Sequence, residues 1–196
     1  MKMVEVLVTD RDGRVVNRVA VNEDLFSEHL RRQRSDSTDL FTRWVLRMLF
    51  AIFEPVAVLG YNKFTVVDTG GTSRSQQMKL NITASMFFTT NNCNNRLWIT
   101  YGTGTTPPTR NDYRLASIAG EGLAGVTLDE EDGTITISGS FMFTTSFTVY
   151  EVGLEWEGCV QSNNVCARIL MDRTVFPGGV TIPAGGTLSV VYRFIT

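Results

Sequence analysis

From Tyr61 onward, apolar side chains recur at every second residue. "MKLNITASMFF" sets Met78, Leu80, Ile82, Ala84 and Met86 on one side and Lys79, Asn81, Thr83 and Ser85 on the other. "TITISGSFMF" aligns Ile135, Ile137, Phe141 and Phe143, and "GTLSVVYRF" aligns Leu188, Val190, Tyr192 and Phe194. A strand with one apolar and one polar face belongs in an antiparallel sheet that covers a core on one side only. Turn residues at Gly70-Gly71, Asp132-Gly133, Pro177-Gly178-Gly179 and Pro183-Ala184-Gly185-Gly186 divide the run into about eight or nine short strands. The expected fold is mainly β: an antiparallel β-sandwich or jelly-roll-like domain with an N-terminal β-hairpin and helical extension.

The hairpin is read from "VEVLVTD" and "RVVNRVAV", which flank Asp12-Gly13. After it, Asp24 to Gln33 predicts a short polar helix. Leu40 to Pro55 predicts an apolar one, with Phe41, Val45, Met48 and Ile52 at helical spacing and Pro55 as its stop. That segment is too short to span a bilayer, which takes about 20 apolar residues, and it carries Arg43 and Arg47. It reads as a helix buried against protein, with peripheral membrane contact as the lesser alternative. The expected division is an assembly extension over 1–56 and a sandwich domain over 57–196.

"YEVGLEWEGCVQSNNVCARILMD" can be registered by its turn. A four-residue loop over 161–164 pairs Val160 with Val165 and Cys159 with Cys166, and sets Glu157 opposite Arg168. Tyr150, Val152, Leu154 and Trp156 then share a face with Ala167, Ile169 and Met171. Opposed cysteines in such a ladder are within reach of a disulfide, and two reduced thiols fit the same register. Cys93 has no visible partner.

Chemistry is sparse. "GTGTTPPTRNDYRL", residues 102–115, has the small residues of a phosphate loop but no lysine, and Pro107-Pro108 remove two amide donors. His29 is the one imidazole, placed beside arginines in a polar segment, and "LDEEDGTI" matches a hairpin turn better than a calcium loop. Three cysteines and one histidine, without Cys-x-x-Cys spacing, offer no zinc site. A net charge of -2 exerts no general pull on nucleic acid. The expectation is a protein that is not an enzyme, has no cofactor and no metal, and binds no specific nucleic acid.

"LWITYGTGTTPPTRNDYRL", "TVYEVGLEWEG" and "ARILMDRTVFPGGVTIPAGGTLSVVYRFIT" together resemble structural proteins of tailed phages and archaeal viruses. The matching elements are Gly102 to Pro108, Glu151 to Leu154 and Thr181 to Phe194, within roughly residues 96–196. The resemblance implies a homo-oligomeric virion component at a tail, portal-adaptor, baseplate or turret position. It would meet itself and other virion proteins, with the host cytoplasm as its place of assembly. Interface candidates are Arg43, Trp44, Arg47, Phe50 and Phe53 on the apolar segment, and Arg110, Asp112, Tyr113 and Arg114 in the long loop. The alternative is a carbohydrate- or receptor-binding module of a viral fibre or spike, in which Trp98, Tyr101 and Trp156 would stack on a host glycan.

Overall fold

The computed structural model describes residues 2–23, 39–41, 61–79, 96–129, 134–160 and 165–195. The strands are β1 (Lys2–Thr9), β2 (Val15–Glu23), β3 (Asp39–Phe41), β4 (Tyr61–Val67), β5 (Ser73–Lys79) and β6 (Arg96–Gly102). They continue with β7 (Ile118–Leu123), β8 (Gly125–Asp129), β9 (Thr134–Met142), β10 (Phe147–Val160), β11 (Val165–Ile182) and β12 (Thr187–Ile195). One five-stranded antiparallel sheet, here sheet A, runs β2-β1-β12-β9-β8, and a second, sheet B, runs β3-β11-β10-β6-β7. β4 and β5 form a separate hairpin.

The alternation read from the sequence is the alternation of burial. Val4, Val6 and Val8 of β1, and Leu188, Val190 and Tyr192 of β12, are fully buried. They meet Ile99, Val149, Val152, Leu154, Val180 and Ile182 of sheet B in one core. Tyr101 packs edge-on against Phe141, Phe143 and Phe147, closing that core near one end.

Three elements differ from expectation. The N-terminal hairpin, expected in an extension, is built into sheet A: β1 bonds to β2 on one side and β12 on the other, so its valines complete the core. Gly13 takes the positive φ its turn requires, and the Asp10 carboxylate accepts the Asp12 and Arg14 amides. Pro177-Gly178-Gly179 does not end a strand but lies within β11. The pairing steps from Val149–Val180 to Glu151–Val175, so the segment bulges out of the ladder, with Gly179 at φ 65°. Leu40 and Phe41, expected to begin the apolar helix, belong to β3, which pairs with Asp172–Thr174 of β11. The rest of that helix, the polar helix before it, and Leu80 to Met86 lie outside the described residues, and no helix among those described is long and apolar enough to cross a membrane.

The hairpin of β10 and β11 has the register read from its turn: Val160–Val165, Cys159–Cys166 and Glu157–Arg168 are paired. Cys166 is disulfide-bonded. Between Leu154 and Glu155 the register slips, so Leu154 opposes Asp172 and Glu155 opposes Leu170, with Met171 outside the regular pairing.

Candidate functional site on the outer face of sheet B

On β10, Val152 and Leu154 point into the core, so the residues between and beside them, Glu151, Gly153 and Glu155, point to the opposite face of the sheet. That face would meet water, yet Glu151 and Glu155 are 0% and 2% exposed. Residues 103–117, the connection from β6 to β7, fold back over it. Leu115 is buried directly on Gly153: a Cβ at that glycine would collide with Leu115 Cδ1 and press on Thr100 Oγ1.

The connection closes around the Glu151 carboxylate. Its Oε1 accepts the amides of Gly104 (3.0 Å) and Ser117 (2.7 Å), and its Oε2 accepts the Ala116 amide (3.1 Å) and Arg173 Nε (2.7 Å). Arg173, itself 2% exposed, reaches further into the loop. Its Nη1 donates to Asp112 Oδ2 (2.7 Å), and its Nη2 donates to the carbonyl and hydroxyl oxygens of Thr106 (3.0 and 3.1 Å). Asp112 in turn accepts the amide and hydroxyl of Thr109. The glycine- and threonine-rich loop therefore does cradle an anion, but the anion is the chain's own Glu151. Gly104 is needed for this approach, because a Cβ there would overlap Glu151 Oε1 and Ala116 Cβ.

A second cluster lies further along the same face. The Arg168 guanidinium sits 3.7 Å over the Trp98 ring, donates to Glu121 Oε2 (2.6 Å) and Glu157 Oε2 (3.2 Å), and stands 4.0 Å from Glu155 Oε2. Trp98 Nε1 also donates to Glu157 Oε2 at 2.7 Å. Glu155 Oε1 is buried without a hydrogen-bond partner. Burial pushes the Glu155 carboxyl up to about 7 and the Glu121 charge adds to this, while Arg168 and the Thr100 hydroxyl pull the other way. What this cluster can do chemically is hold or release a proton near neutral pH. Among the described residues, no group of three His, Cys, Asp or Glu has the geometry to hold a metal ion.

Of the candidates named from sequence, Asp112 is tied into the Arg173 network, and Tyr113 is half-buried, its ring against Gly71 of the β4–β5 turn. Arg110 and Arg114 are exposed, Arg114 lying over the Tyr113 ring. Arg43, Trp44, Arg47, Phe50 and Phe53 lie outside the described residues. Trp98 is roofed by Arg168, Tyr101 belongs to the aromatic cluster, and Trp156 packs on Ala167 and Ile169. Glu151, Glu155 and Arg173 were missed by motif reading. The signal for the two glutamates was the polar half of the β10 alternation, charged residues on the second face of a central strand.

No family model, curated protein or solved structure matches the chain.

Proposed function

We propose that this protein is a non-enzymatic structural component built on a jelly-roll-like β-sandwich, and that it works as a homo-oligomer in a virion, at a tail, portal-adaptor, baseplate or turret position. One observation carries the assembly part of this reading. Six of the eight large apolar side chains left exposed among the described residues, Ile118, Leu123, Val126, Leu128, Ile135 and Met142, lie on β7, β8 and β9, and they are 39% to 81% exposed. Apolar surface gathered on one margin is the mark of a surface that another protein covers. The buried ion pairs on the outer face support the same reading, because they hold the long loop as a fixed part of the body. The virion setting rests on the resemblance of residues 96–196.

The glycan-binding alternative is less favoured, because Trp98, Tyr101 and Trp156 are each engaged by neighbours within the chain. Mass spectrometry of purified particles, followed by their reconstruction, tests the proposal. The expected result is this chain present in a fixed ratio to the other particle proteins and visible as a ring or symmetric array. Its absence from particles overturns the reading. Saturable binding on a glycan array by the isolated protein would favour the alternative.

A further inference from the structure

We infer that Arg168 is a proton-controlled strap: it ties β7 to the outer face of sheet B while Glu155 holds a proton, and it releases β7 when Glu155 ionises. The strand order β11-β10-β6-β7 puts two strands between Arg168 and Glu121. The arginine side chain crosses both, lying flat on the Trp98 ring of β6, to donate from Nη1 to Glu121 Oε2 at 2.6 Å. The same Nη1 stands 4.0 Å from Glu155 Oε2, beyond hydrogen-bond distance. One nitrogen therefore lies between two carboxylates on different strands and bonds only the one on β7.

The surroundings decide which carboxylate gives way. A neutral Glu155 leaves Arg168 to Glu121 and Glu157, and an ionised one sets three carboxylates on a single cation. Glu157 also accepts Trp98 Nε1, so it has a second donor. Glu121 is 42% exposed and can be hydrated again at little cost, whereas Glu155 is buried and has one oxygen without a donor. The guanidinium is then drawn from Glu121 to Glu155, sliding on the Trp98 ring. Burial, with the Glu121 charge adding to it, sets this exchange at about pH 7.

The other charged groups around the cluster, among the described residues, are paired or exposed. On the loop, β10 and β11, Asp112 and Glu151 hold Arg173, while Asp172 accepts the Thr174 hydroxyl. In the β4–β5 turn, whose Thr69 amide donates to the Arg168 carbonyl, Asp68 holds Arg74. On β6, Arg96 is exposed opposite Glu157, and the Thr100 hydroxyl is the remaining polar group beside Glu155. Among the described strands, β7 is hydrogen-bonded to β6 alone, so the strap is a second tie. β7 also carries the exposed Ile118 and Leu123, and the strap sets how firmly they are presented, whatever covers that margin.

Hydrogen exchange of the full chain, followed by NMR at pH 6 and pH 8 and corrected for intrinsic rates, tests this. In the wild type, protection of the amides of residues 120–123 should fall about fivefold across that interval. The fall should come through a local opening that urea does not promote, which separates it from global unfolding. Glu155→Gln should keep its pH 6 protection at pH 8. Glu121→Gln has no strap to lose and should be about fivefold less protected than wild type at pH 6, with no further fall at pH 8, which keeps the inference testable if Glu155→Gln fails to fold. Wild-type protection that is constant with pH, or that falls equally in Glu155→Gln, overturns the inference. So does a Glu121→Gln chain as well protected as wild type at pH 6.

Discussion

Glu151 and Glu155 stand four residues apart on one face of β10, both removed from water and each near one arginine, but their surroundings differ in kind. Glu151 accepts four hydrogen bonds, three from loop amides and one from Arg173. Glu155 has an oxygen with no donor and shares Arg168 with two other carboxylates. Burial costs a carboxylate several kcal/mol unless donors replace the lost water. At Glu151 the folded-back loop supplies those donors, whereas at Glu155 a proton is the remaining way to relieve the charge. The contrast is set by the number and direction of N–H groups rather than by depth.

The largest break in this comparison is Arg173→Met. It strands Glu151 and Asp112 without their cation and should cost roughly 3–5 kcal/mol in urea denaturation, with residues 103–117 becoming sensitive to protease. If the loss is under about 1 kcal/mol, the amides alone suffice to hold Glu151.

Glu155 comes next and has a defined sign. Its folded-state value of about 7 lies above the 4.5 of an ordinary glutamate, so the folded chain holds this proton more tightly than the unfolded chain does. The stability it contributes is complete below pH 4.5 and is lost as pH rises through 7. That loss is roughly 3 kcal/mol, from about 1.4 kcal/mol per pKa unit. Other groups have the opposite slope, among them Glu5, held low chiefly by its hydrogen bond to Arg193 against the effect of burial, so the informative quantity is a difference. Glu155→Gln should match wild type near pH 4.5 and exceed it by roughly 2–3 kcal/mol at pH 8. Parallel stability curves for the two proteins would mean that Glu155 is ionised throughout.

Gly104→Ala attacks the saturated site from the loop side. The added methyl must displace Glu151 Oε1 or Ala116, and overpacking of this kind costs about 1–3 kcal/mol. The denaturation midpoint in urea should fall with little change in slope. The smallest expected effect is that of Glu121→Gln, at a side chain 42% exposed, where the loss of one ion pair should stay under about 1 kcal/mol. Its use is to sharpen the pH measurement: with the Glu121 charge gone, the Glu155 midpoint should move down, as seen by NMR titration of the carboxyl carbon.

Much of this fold was legible in the residues. The β1–β2 turn announced itself through Asp12-Gly13, and the β10–β11 register followed from a four-residue loop and a pair of cysteines. Where the reading failed, it treated local signals as independent. Pro177-Gly178-Gly179 has the composition of a turn, but a continuing partner strand converts it into a bulge. Asp112, named as an interface candidate in the long loop, is also held within the chain by Arg173, 61 residues away on β11, a contact that no local signal announces.

The sequence by itself determined the period-two strands, the faces they bury and the turns that join most of them, because each depends on residues a few positions apart and on fixed backbone geometry. Long-range packing decided that the N-terminal hairpin completes a sheet, that the glycine-rich loop encloses Glu151, and that one oxygen of Glu155 lies buried without a donor. Each of these is settled by which distant segment returns to cover a strand. For a buried charge, the identity of that segment fixes whether its lost hydration is replaced by hydrogen bonds or relieved by a proton.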